Sequence, residues 1–298
     1  MLMTHTSTET QSNTFLPVLA VAGTVITWAA SFPAIGFALR QIEPLPLASV
    51  RFALASVLAF AWLAWKRPAR MSMRDYTTIV ICGLLGIALY NVLLNSGQAT
   101  VSAGAASFIV NTQPLFMVGL AVIFLKERFS RWSWLGALLG FSGVAVISLG
   151  QVGGFTFGSG AMLILGAAAC AAAFSVLQRP LFARSGSLDV TSLVLIAGAL
   201  TLLPWLPAGL SQFRAASPDT MLVVVFLAVA PAAIGQTCWT YALKSFGAAR
   251  AGQFLYLIPP CAVLFSWIGL GETPVITTVL GGALALTGVI VVNTLGRR

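Results

Sequence analysis

Apolar stretches run roughly over Phe15–Leu39, Pro46–Trp65, Tyr76–Leu94, Val101–Leu125 and Trp132–Gly150. A second set covers Ser159–Gln178, Val190–Gly209, Thr220–Leu243, Ala251–Leu270 and Pro274–Leu295. Each is close to the ~20 residues that a helix needs to cross the hydrocarbon of a bilayer, and none alternates with the two-residue period of a barrel strand. Polar residues gather in the short gaps. The pattern predicts an all-α polytopic membrane protein of ten transmembrane helices, with almost no chain left for a soluble domain. It divides into two sets of five helices, residues 15–150 and 159–295, with a linker at 151–158 and short tails at 1–14 and 296–298.

Composition agrees with that reading. Of 298 residues, 58% are hydrophobic and 8% charged, where a soluble domain carries about a quarter charged. All seven acids (Glu9, Glu43, Asp75, Glu127, Asp189, Asp219, Glu272) lie in the gaps or the N-terminal tail. That tail has no Lys or Arg before Phe15, so the first apolar stretch reads as a retained helix rather than a cleaved secretory signal. Cys82, Cys170, Cys238 and Cys261 all fall inside spans with no C-x-x-C pair, and read as small buried hydrophobes. No metal site and no cofactor is expected.

The net charge of +9 suggests nucleic acid until its placement is considered. Lys66, Arg67, Arg70, Arg74, Lys126, Arg128, Arg131, Arg179, Arg184, Lys244, Arg250, Arg297 and Arg298 occupy alternate gaps. These are thirteen of the sixteen basic residues, leaving Arg40, Arg51 and Arg214. Basic residues concentrate in cytoplasmic loops, so the partner is the lipid bilayer and both termini are expected in the cytoplasm.

The two halves also repeat. "NTQPLFMVGLAVIFLKE" from Asn111 and "YLIPPCAVLFSWIGLGE" from Tyr256 are 145 residues apart, with a proline at the fourth place and a glutamate at the last. At the same offset Gly136 falls on Gly281, Gly143 on Gly288, Asn91 on Gln236 and Asn95 on Thr240. The match fades over the first two helices of each half, where Trp28 falls on Ala173. Five helices is an odd number, so the second copy enters the membrane upside down. Inverted repeats of this kind build transporters whose site lies near the midplane between the halves.

The stretches "AGAASFIVNTQPLFMVGLAVIFLKE" with "LGALLGFSGVAVI", and again "YALKSFGAARAGQFLYLIPPCAVLFSWIGLGETP", resemble the EamA module of the drug/metabolite transporter superfamily. The resemblance spans about Phe15 to Leu295 and is greatest to bacterial amino-acid exporters of the YddG type. It implies a basket of helices 1, 3, 4, 6, 8 and 9 round a central cavity, with helices 5 and 10 at the periphery. It also implies an inner-membrane exporter, not an enzyme, with small molecules, chiefly amino acids including aromatic ones, as substrate. Another small metabolite, or a drug or organic cation, is the alternative cargo. A monomer is compatible with this plan.

Polar side chains inside spans are costly and face a partner helix or a watery cavity. On the third span Asn91, Asn95 and Gln98 share one face beside Tyr90. On the eighth Gln236 and Trp239 are the counterparts. Further lining candidates are Trp28, Ser31 and Phe32 on the first span, Asn111 and Gln113 on the fourth, Phe174, Ser175 and Gln178 on the sixth, and Tyr256 on the ninth. Asn91 and Gln236 are expected to face each other across the twofold. Pro114 and Pro259 read as gating bends, because proline withdraws a backbone donor. The glycines of the fifth and tenth spans read as packing residues. No Asp, Glu, Lys or His lies mid-span, which disfavours a carboxylate proton relay and a cation pump. Arg51 could attract a carboxylate, but five residues into its span it is expected to snorkel to the outer surface.

The charge pattern predicts a topology. Single cysteines near Arg70 and Lys126 should be shielded from an impermeant thiol reagent in intact cells, and cysteines near Gly154 and Glu272 should react. Labelling of the Arg70 loop from outside would overturn both the orientation and the inverted repeat.

Overall fold

The computed structural model describes residues 15–68, 70–113, 115–117, 119–120, 130–149, 158–182 and 184–295. Among them there is helix and no strand. The first half contains α1 (Phe15–Ala38), α2 (Pro44–Lys66), α3 (Met73–Gln98), α4 (Ala103–Val110) and α5 (Arg131–Leu149). The second contains α6 (Ser159–Leu177), α7 (Ser187–Thr201), α8 (Pro218–Leu227, continuing to Phe254), α9 (Ile258–Leu270) and α10 (Ile276–Thr294). Five described helices are long and apolar enough to cross a membrane, and a sixth if α7 and its bent continuation form one span. The chain is a polytopic, all-helical membrane protein.

Helix starts follow from local chemistry. The Ser72 hydroxyl accepts from the Asp75 backbone N–H and donates to its carboxylate, Ser102 accepts from Ala105, and Ser217 accepts from Thr220. Pro44 and Pro218 occupy first-turn positions, where a missing N–H costs nothing. The α9 C-terminus closes on Gly271 at φ 68°, the left-handed conformation that glycine adopts freely.

Three stretches depart from the expected spans, and proline marks each. The seventh span is not continuous: α7 stops at Thr201, a 3-10 turn over Leu203–Trp205 follows, and a short helix Leu206–Ala215 leaves at 55°. Pro204 and Pro207 remove the donors that would have carried it straight. The helix of α8 runs on to Phe254, and a 3-10 turn over Leu255–Leu257 precedes α9. Pro259 and Pro260 lack the N–H groups that the Leu255 and Tyr256 carbonyls would have accepted. Pro259 therefore lies in the first turn of α9, and the bend expected at it falls just upstream. In α4 the helix ends at Val110 and turns at Asn111 and Thr112. Pro114, Lys126 and Gly154 lie outside the described residues.

Packing repeats under exchange of the halves. The contact of α1 with α9 recurs as that of α6 with α4, α1 with α8 as α6 with α3, and α2 with the middle of α8 as α7 with the middle of α3. The α5–α10 and α4–α9 contacts join equivalent helices. Even an irregularity is duplicated: π-helical segments occupy Leu84–Leu89 of α3 and Ala228–Gly235 of α8.

The α5–α10 seam is the closest of these contacts. A methyl group at Gly143 would meet the Gly281 carbonyl and the Ala285 backbone, and one at Gly288 would meet the Gly136 carbonyl and the Gly140 backbone. Small residues here let two backbones touch. Trp134, Leu138, Leu280 and Ile290 on the same helices are exposed, as lipid-facing side chains would be.

Gly288→Leu should therefore cost about 1–3 kcal/mol or more, because backbone cannot yield as a side chain can. Gly140→Leu should be milder, since the Leu115 side chain is what it first meets. Gly269→Leu has no heavy atom within 4 Å of the new Cβ and serves as the control. The check is monodisperse yield and melting temperature in detergent. Equal values for Gly288→Leu and Gly269→Leu would remove the seam's importance.

Candidate functional site

A cavity of about 120 Å³ lies between the halves. Its walls come from α1, α2, α3, α6 and α8, the end of α4 with the turn beyond it, and the 3-10 turn with the start of α9. No lining residue belongs to α5, α7 or α10. Relative to the six helices implied by resemblance, α2 is the addition.

Both halves contribute at equivalent places. At the offset of 145, Gly86 pairs with Pro231, Ile87 with Ala232, Asn91 with Gln236, Leu94 with Trp239, Val110 with Leu255 and Gln113 with Ile258, and all twelve line the cavity. The two π segments sit here, as such segments often do at functional sites.

One wall is aromatic. The Trp28 and Trp239 rings lie 5.6 Å apart at 50°, and the Trp28 indole N–H donates to the Pro231 carbonyl at 3.2 Å. Gly235 makes this possible, because a Cβ there would come within 2.9 Å of the Trp28 Nε1. Gly86 likewise leaves room for the Phe174 ring. Gln113 Nε2 donates to the Ser175 hydroxyl at 2.9 Å and to the Ala171 carbonyl at 3.3 Å, tying the end of α4 to α6. Ser31 is satisfied within its own helix, donating to the Trp28 carbonyl at 2.6 Å.

Another part of the wall is cationic, contrary to the expectation for Arg51. Its side chain is 6% exposed and turned inward rather than toward the outer surface. Arg51 Nε donates to the Leu227 carbonyl at 3.0 Å, and a terminal nitrogen donates to Asn91 Oδ1 at 3.1 Å. The guanidinium carbon lies 5.0 Å from the Phe52 ring centroid. Pro231 has no N–H for the carbonyl four residues back, and the π-helical segment Ala228–Gly235 answers by bonding five residues back instead, so the guanidinium adds a second donor to the Leu227 carbonyl. Asn91 is held in turn by donating to the Ile87 carbonyl at 2.8 Å.

Of the sequence candidates, Trp28, Ser31, Phe32, Tyr90, Asn91, Asn111, Gln113, Phe174, Ser175, Gln236 and Trp239 line this one cavity. Three do not. Asn95 donates to the Pro44 carbonyl at 3.1 Å, in the seam between α3 and α2. Gln178 is buried at the end of α6, and Tyr256 lies in the 3-10 turn with its neighbour Leu255 lining instead. Asn91 is engaged with Arg51 and its own helix, and does not reach across to Gln236. Arg51 is the charged lining residue absent from the expected set, and its position in the span gave no signal of which way the side chain turns.

Comparison with known proteins places this architecture. The model of the EamA-like transporter family matches residues 15–149 and again 158–294. A protein of Streptantibioticus cattleyicolor named a probable terminal-alkyne amino-acid exporter is 37% identical over 94% of this chain and 95% of its own. The uncharacterized transporter YdfC of Bacillus subtilis is 33% identical over 88% and 86%. A solved crystal structure, 21% identical and covering 95% of this chain and 98% of its own, superposes with a TM-score of 0.64, which shows a shared fold. Matched by the family model in both halves, the chain belongs to the EamA-like transporter family.

Proposed function

We propose that this protein exports amino acids, including aromatic and other neutral ones, from the cytoplasm across the inner membrane. Ten spans in two inverted halves would alternate between inward- and outward-open forms round the cavity. The observation that carries the reading is the set of six twofold-related pairs lining one cavity between the halves. An exchange of conformation between the copies then exposes the same residues to either side. The name of the 37% identical relative supports an amino-acid cargo. Carriage of organic cations is disfavoured: among the described residues no carboxylate lines the cavity, and the charge that does is Arg51.

Without a carboxylate among the lining residues to relay protons, flux should run down the substrate gradient. Proteoliposomes with purified protein should exchange labelled neutral amino acids. An imposed pH gradient with equal substrate on both sides should produce no lasting accumulation. Exchange of nucleosides or quaternary amines, with none of amino acids, would sink the cargo assignment. Concentrative uptake driven by the pH gradient would overturn the energetics.

Gln236→Leu should cut flux about tenfold with folded protein unchanged, because its side-chain amide makes no hydrogen bond within the described structure. Asn91→Leu should also cut flux, and by a second route, since it strips Arg51 of an acceptor. Full transport in the double variant would place these amides at a helix seam and move the site elsewhere.

A further inference from the structure

Among the described residues Arg51 is the one cationic group facing the cavity, and its hydrogen-bond partners are neutral. The single ion pair among the described residues joins Arg184 to Asp75, in the first turn of α3 far along the chain from this site. The described acids Glu43, Asp75, Asp189, Asp219 and Glu272 all stand at helix ends. The guanidinium is thus positioned without being neutralised. A carbonyl and an amide oxygen orient it, and the Phe52 ring flanks it, but none cancels its charge.

The same short stretch of α8 orients the aromatic wall. Leu227 holds Arg51 and Pro231 holds the Trp28 indole, so consecutive turns of one helix hold the guanidinium and the indole. Those carbonyls are about one turn, roughly 5 Å, apart along the helix. That spacing suits a molecule whose carboxylate and apolar group are separated by two or three bonds. Arginine binds carboxylates through paired, parallel N–H donors, and the aromatic faces accept the apolar part.

We infer that Arg51 is the carboxylate anchor of the transport site, with Trp28 and Trp239 receiving the apolar side chain of the substrate, and that the site rejects amines lacking a carboxylate. This rests on the exporter reading above and narrows it to α-amino acids and related carboxylates with apolar or aromatic side chains. Asn91 is a positioning residue: it acts on the substrate through Arg51.

The test is competition with four compounds of one shape, namely phenylalanine, phenylalaninamide, phenethylamine and 3-phenylpropanoate. Binding to the purified protein is read by isothermal calorimetry and by the shift in melting temperature. Wild type should favour the two acids over the amide and the amine by about ten- to a hundredfold, the weight of a charge-assisted contact. Arg51→Gln can still donate to the Leu227 carbonyl, yet should lose that preference. Arg51→Lys keeps the charge and should retain part of it. Amide or amine binding to wild type as tightly as phenylalanine would overturn the anchor, as would an undiminished acid preference in Arg51→Gln or no binding of either acid. The wild-type series decides the matter even if the variants fold poorly. Transport of phenethylamine by wild type would leave the exporter standing and remove only the anchor.

Discussion

Hydrocarbon offers a backbone group no hydrogen-bond partner, so a helix that breaks within a bilayer must satisfy its loose ends internally. This chain breaks several of its helices, and the breaks gather at the cavity. The π segments of α3 and α8, the turn after α4 and the 3-10 turn before α9 all contribute lining residues. Each break is settled by a side chain from elsewhere or by a local turn. The interruption in α8 has the widest consequences. Two carbonyls there, those of Leu227 and Pro231, hold a guanidinium and an indole from two other helices.

A duplicated scaffold would by itself build a cavity with two like ends. Here equivalent positions carry unlike residues: Leu94 answers Trp239, Gln113 answers Ile258, and Tyr90 answers Gly235. Gly235 vacates the volume that Trp28 fills, whereas Tyr90 keeps its ring beside Arg51 and Asn91. Arg51 has an isoleucine, Ile196, at its counterpart position. The packing of the helices repeats between the halves while the cavity they line carries Arg51 and the Trp28–Trp239 pair without like counterparts. That division is what lets a symmetric fold hold an asymmetric molecule in one orientation.

Much of this was legible in the chain. The register from Asn91 onward takes in four of the six pairs that share the cavity, because duplicated residues at a shared interface retain spacing even where identity drifts. The helix starts that Ser72, Ser102 and Ser217 cap fall close to the expected span limits at Tyr76, Val101 and Thr220. Arg51 was not, because distance from the helix end says only that snorkelling is possible. Which way the side chain turns is decided by Leu227 and Asn91, residues 176 and 40 positions away. Asn95 shows the converse. It shares a helical face with Asn91, yet one further turn carries it past the cavity to the Pro44 carbonyl.

Stability alone does not account for Arg51. Burying a guanidinium costs several kcal/mol, and well-packed apolar residues commonly replace buried charges without loss. Its retention at the cavity wall makes sense through coupling instead. A ligand shifts a conformational equilibrium only as far as it binds the two states differently. Arg51 links α2 and α3 of the first half to α8 of the second, so rocking one half on the other must change how its donors are shared. A bound carboxylate takes the remaining donors of the same guanidinium. Occupancy and the contact between halves then draw on one group, which is the minimum that alternating access requires of its site.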